Sequence, residues 1–111
     1  MYLVLIAALA SLTVSAANAE PMPRNMRGSW SMGDENGMHE RVPENQGDFY
    51  VGRHKLGGVD PECTIKHVQR MAKDKYAVFS HCWIADSDTP PTEEADVFEL
   101  IGKELHVYKI E

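Results

Sequence analysis

Beyond residue 27 the apolar positions fall mainly at every second residue, in runs separated by Gly, Pro, Asn and Asp, and this pattern predicts short strands. Two brief strand-like pieces, 28–32 and 38–42, flank the turn-like Gly33-Asp34-Glu35-Asn36-Gly37. Residues 49–56 form a candidate strand stopped by Gly57-Gly58, and residues 63–71 and 76–85 predict a hairpin around Ala72-Lys73-Asp74-Lys75. The last unit, 96–110, can be registered residue by residue. A tight turn at Gly102-Lys103 sets Ile101 opposite Glu104, Leu100 opposite Leu105, Glu99 opposite His106, Phe98 opposite Val107 and Val97 opposite Tyr108. Phe98, Leu100, Leu105 and Val107 then share one apolar face, while Glu99 and His106 pair on the other.

The segment 76–85 carries Tyr76, Val78, Ser80, Cys82 and Ile84 on one side and Ala77, Phe79, His81 and Trp83 on the other. With both faces largely apolar, it predicts a strand covered on two sides or one inside a closed, barrel-like sheet. No stretch after residue 19 sustains a helical apolar period. The expected fold is mainly β, a small antiparallel meander or barrel-like sheet of about six strands. It occupies residues 28–111, behind a Pro-containing leader, 20–27, expected to be flexible.

The amino-terminal residues change the setting of this domain. Residues 3–17 are uncharged and dominated by Leu, Val, Ile and Ala, and Ala17-Asn18-Ala19 is a small-x-small triplet followed by Glu20. These features predict a signal peptide over 1–19, cleaved between Ala19 and Glu20. The run falls short of the roughly 20 residues that a transmembrane helix needs, so no permanent membrane anchor is expected. The expected location is the periplasm or the outside of the cell. There Cys63 and Cys82, the two cysteines of the chain, are expected to pair as a disulfide worth about 3 kcal/mol of stability. A net charge of −6 without a basic cluster disfavours nucleic acid and anionic membranes as partners.

Arg27-Gly28-Ser29-Trp30 resembles the Gly-x-Trp opening of lipocalin-like (calycin) barrels, in which the Trp closes the barrel floor. The wider layout also resembles small exported bacterial proteins of uncharacterised function. The matching residues are Gly28 and Trp30; Gly58, Asp60, Cys63 and Ile65; Cys82; and Leu100, Gly102 and Leu105. The resemblance implies a fold and a disulfide, and it implies no activity.

Candidate chemistry is sparse. Cys63, His67, His81 and Cys82 have the inventory of a zinc site, with Cys63 and His67 expected on one face of their strand. Adjacent His81 and Cys82, however, point to opposite faces, and oxidation removes both thiolates. Met22, Met26, Met32 and Met38, with His39, form a soft-ligand set suited to Cu(I), giving copper handling as one alternative. Asp86 and Asp88 do not begin a calcium loop, because Pro91 stands where its Gly belongs and Val97 where its Glu belongs. Ser80 and His81 face opposite ways and cannot act as a nucleophile–base pair, so a small enzyme ranks last and no catalytic residue is assigned. No cofactor is implied. Binding is the leading expectation: a non-enzymatic domain that contacts an exported protein or envelope component, inhibition of an exported enzyme being one form. The expected contact region is the acidic loop with Asp86, Asp88, Pro90, Pro91, Glu93 and Glu94, whose prolines limit the entropy lost on docking.

Overall fold

The structure, a computed structural model, describes residues 21–33, 37–58 and 61–110. The expected signal segment 1–19, its junction at Ala19 and Glu20, the centre of the 33–37 turn and Asp60 lie outside the described residues. Eight strands follow a single 3₁₀ turn, Arg24–Met26. They are β1 (Gly28–Met32), β2 (Met38–Arg41), β3 (Phe49–Val51), β4 (Lys55–Gly58), β5 (Glu62–Ala72), β6 (Lys75–Trp83), β7 (Thr92–Ile101) and β8 (Glu104–Lys109). All pairings are antiparallel, and the order β1-β2-β8-β7-β6-β5-β4-β3 closes into a barrel where β3 returns to β1. No helix among the described residues is long and apolar enough to cross a membrane.

The β7–β8 hairpin has the register its alternation predicts, from Ile101 opposite Glu104 to Val97 opposite Tyr108. Strand β7 starts earlier than expected, at Thr92, so Glu93 and Glu94 belong to a strand and not to the acidic loop. Segment 76–85 resolves as a barrel strand, with Val78, Ser80 and Cys82 inside and Phe79, His81 and Trp83 on the half-buried outer face. The expected single strand over 49–56 is two strands. Its chain reverses at Gly52, whose N–H donates to the Lys55 carbonyl at 2.8 Å, and Gly57-Gly58 then continue β4 instead of ending it. This split carries the count beyond six. A second difference arises in β5, where the register shifts between Ile65 and His67. The bulge moves His67 to the outer face against Phe79, so Cys63 and His67 do not share a face as expected.

An eight-stranded barrel is just wide enough for side chains to fill. Trp30, Val51, Leu56, Ile65, Val68, Val78, Phe98 and Leu105 do so here. One end is closed by residues 21–27, which pack instead of trailing as a flexible leader. Met22 and Met26 are 0% exposed within the core cluster. The Met22 N–H donates to the Arg53 carbonyl in the β3–β4 turn (3.0 Å), and the Asn25 amide donates to Asp74 in the β5–β6 turn (3.1 Å). The segment thus spans the barrel end from one hairpin turn to another. Buried Trp30 donates its indole N–H to the Met26 carbonyl at 2.9 Å, and the Arg41 guanidinium lies 4.3 Å from the indole ring centroid. Arg41 also donates to the carbonyls of Arg27 and Asn25, both at 2.8 Å. Gly28, at φ 126°, leaves that guanidinium its room, since a Cβ there would meet Arg41 Nη1 at 2.7 Å.

Strand β1 is flanked by β2 on one side and β3 on the other, so residues 42–48 must cross it. Val42 donates to the Ser29 carbonyl and Asp48 to the Trp30 carbonyl, both at 3.1 Å. Gly47 passes so close that a Cβ would stand 2.7 Å from the Trp30 oxygen. Cys63 and Cys82 sit directly opposite each other on β5 and β6, disulfide-bonded with Cα atoms 4.1 Å apart. The sequence separation of 19 makes the staple worth about 3 kcal/mol in the chain-entropy picture. Reduction, or the double Cys63→Ala, Cys82→Ala variant, is expected to lower unfolding free energy by about that amount in urea titration. An unchanged midpoint would show that the bond contributes nothing to stability.

Candidate functional site

The end opposite the Met22–Met26 plug is open, and it is where the chain departs from an apolar interior. Phe98, Asp96 and Glu94 follow each other at the inward positions of β7, facing Tyr76, Val78 and Ser80 of β6. The β8 partners of Phe98 and Asp96 are Val107 and Lys109. Lys109, on the neighbouring strand, therefore meets Asp96 beside it at 3.1 Å and Glu94 diagonally along the rim at 2.9 Å. The three side chains become progressively more exposed, with Asp96 at 13%, Glu94 at 33% and Lys109 at 62%.

Below and beside this trio lies a cavity of about 300 Å³, within the size range of small-ligand sites. Its walls include Phe49, Leu56, Phe98, Val107 and the Cys63–Cys82 disulfide, with Ser80, Asp48, Glu94 and Asp96 as polar lining. Ser80 is buried, and its hydroxyl lies 3.6 Å from the Cys82 sulfur. Next to the cavity wall, the His39 ring packs on Phe49 with centroids 5.0 Å apart, and its buried Nδ1 has no hydrogen-bond partner. A roomier groove of about 550 Å³ lies between the crossing loop (Glu44, Asn45, Gly47, Asp48) and residues of β1, β3 and β4. The mouth combines an apolar wall with charges of both signs.

The charges bias one another. The hydrogen bond from Lys109 holds the Glu94 carboxyl below the usual carboxylate range, against a smaller opposing effect of burial. Burial pulls the Lys109 ammonium down, but its hydrogen bonds to Glu94 and Asp96 together prevail and raise it above the ordinary lysine value of 10.5. Both shifts favour the charged pair at neutral pH.

The other sequence candidates scatter. Met22 and Met26 plug the closed end, Met32 is exposed at the far end of β1, and Met38 is buried against Gly33 beside His39. The structure does not gather these thioethers into a copper site, because the apolar floor claims two of them for packing. Among the described residues, no three His, Cys, Asp or Glu side chains are arranged to hold a metal ion. Ser80 and His81 do lie on opposite faces, with His81 hydrogen-bonded to Glu93 on the outside. Of the expected contact residues, Asp86, Asp88, Pro90 and Pro91 remain in an exposed loop, where Ser87 and Thr89 bond to each other. Glu93 joins the outer face and Glu94 the mouth. Lys109 is a site residue that the sequence candidates do not include, and the β7–β8 register, extended one pair beyond Val97 and Tyr108, sets it opposite Asp96.

The linkage sign is definite. Glu94 is depressed in the fold, so its contribution is present at neutral pH and disappears as pH falls through its folded pKa, below the ordinary value of 4.5. Lys109 contributes fully below 10.5 and loses that contribution as pH rises through its raised pKa. Carboxyl-detected NMR is expected to show Glu94 titrating low in the native chain and moving upward in Lys109→Met. A midpoint indifferent to that substitution contradicts the pairing. The accompanying stability change should stay within about 1 kcal/mol, since Lys109 is largely exposed.

No family model matches the chain, and neither a curated protein nor a solved structure is detectably similar to it.

Proposed function

We propose that this chain is an exported, non-catalytic binding domain that seats a small amphipathic group in the open mouth of its barrel. The observation that carries the reading is the 300 Å³ cavity itself, apolar on its walls and charged at its rim. Apolar walls with a few placed polar groups are the ordinary construction of a small-ligand seat. The disulfide supports an oxidising compartment, periplasmic or extracellular. A source in the cell envelope, or on another exported protein, fits that location.

Titration of the isotope-labelled protein with a short neutral amphiphile such as n-octanol tests the reading. Chemical-shift changes are expected to cluster at Phe49, Leu56, Phe98 and Val107. They should weaken in Val107→Phe, which fills part of the mouth from β8. Shifts spread evenly over the outer surface, or insensitive to that substitution, would sink it.

A second reading, docking on an exported protein, has a separate observation in its favour. His67, Phe79, His81 and Trp83 form a stripe on the outer face of β5 and β6, with His67 stacked on Phe79 and His81 tilted against Trp83. Aromatic side chains supply contact area at low entropic cost and are favoured at interfaces. Affinity capture from envelope extract is expected to return a defined exported protein that is lost on Phe79→Ser with Trp83→Ala. Capture that survives those changes but fails when residues 86–91 are replaced moves the contact to the acidic loop.

A further inference from the structure

We infer that the mouth selects a primary ammonium carried on a short apolar chain, and that Lys109 occupies the ammonium position until such a ligand displaces it. This inference rests on the mouth being the ligand seat. The fold itself supplies the stand-in. The Lys109 ammonium lies 2.9 Å from Glu94 and 3.1 Å from Asp96, so the rim holds a compact cation between two carboxylates. Strands β7 and β8 fix the backbone of all three residues, but the lysine side chain is 62% exposed and carries its ammonium on a long, flexible stem. A ligand ammonium can take its place without leaving either carboxylate unpaired. What the exchange adds is burial of the ligand's apolar body against Phe49, Leu56, Phe98 and Val107.

Other ligand chemistries fit less well. With Lys109 turned outward the rim presents Glu94 and Asp96, with Asp48 also on the cavity lining, so an anion gains Lys109 alone and faces these carboxylates. A hard divalent ion wants about six oxygen ligands or more, whereas Asp48, Glu94 and Asp96 are not arranged to hold a metal ion. The volume, about 300 Å³, lies at the small end for ligand pockets and suits a short chain better than a long acyl tail. One ammonium chemistry has two natural sources, a free alkylamine and the lysine side chain of another polypeptide. The cavity's apolar depth favours the alkylamine.

The test compares n-octylammonium, n-octanol, octanoate and acetyl-lysine methylamide by calorimetry and NMR at neutral pH. The expected order places octylammonium first, with binding that weakens as salt rises. Glu94→Gln and Asp96→Asn should each weaken it about tenfold, the scale of a lost charge-assisted hydrogen bond. Lys109→Met should strengthen it, because the internal competitor is gone. Glu94 is the more exposed carboxylate, so Glu94→Gln remains informative if Asp96→Asn does not fold. Octylammonium binding no tighter than octanol, or unmoved by Glu94→Gln, overturns the ammonium inference while leaving the mouth as a seat. Octanoate binding that vanishes in Lys109→Met overturns it in favour of an anion site. Acetyl-lysine methylamide outcompeting octylammonium overturns the alkylamine assignment. Failure of all four probes removes both the inference and the seat.

Discussion

Closure of this barrel depends on Trp30. Its indole supplies the largest fully buried side chain, its N–H fixes the Met26 carbonyl, and its ring supports the Arg41 guanidinium. Each interaction ties a different stretch of chain to the same point: the 3₁₀ turn, β1 and β2. The backbone of Trp30 is equally committed, for its carbonyl accepts from Asp48 as the crossing loop passes, and the residue pairs with Phe49 on β3 and Arg41 on β2. A barrel with strands as short as three residues needs such a hub. The ladder of β3 is too brief to hold closure through hydrogen bonds alone, and burial of a large aromatic supplies a stabilisation of about 1.5–3 kcal/mol that the ladder lacks.

Because Trp30, Met22 and Met26 fill one end, the interior is accessible only from the other. The disulfide acts at that second end. It locks β5 to β6 beside the cavity, one wall of which it forms. Packing at the floor and a covalent bond near the rim are therefore complementary. The first makes the barrel, and the second keeps its opening in shape.

Much of this was legible in the sequence, for identifiable reasons. The β7–β8 register could be read because a Gly-containing two-residue turn and strict alternation constrain the same pairing twice. The disulfide could be read because Cys63 and Cys82 are the two cysteines of the chain and both fall in strand-like segments. The split of 49–56 could not, since Arg53 and His54 carry no strong turn signal and the reversal rests on one backbone hydrogen bond at Gly52. Nor could the β5 bulge, which inserts a residue without a marker in the sequence and transfers His67 to the outer face. Residues 21–27 read as a flexible leader because Pro, Asn and Met there show no period, yet two buried methionines define its role. Lys109 is hard to place from sequence because a charged residue near a strand end ordinarily marks solvent, whereas its partner across the hairpin is inward-facing Asp96.

Inward-facing charge in an eight-stranded barrel needs a reason beyond stability. Replacing a desolvated ion pair with well-packed apolar residues is commonly neutral or stabilising, and exposed pairs contribute little. An apolar pair at positions 96 and 109 would continue the wall already made by Phe98 and Val107 and would narrow the mouth. The chain instead places Asp96, Glu94 and Lys109 there and leaves about 300 Å³ unfilled beside them. The proposed seat for a polar group joined to an apolar one makes use of both, at the end that Trp30 leaves open.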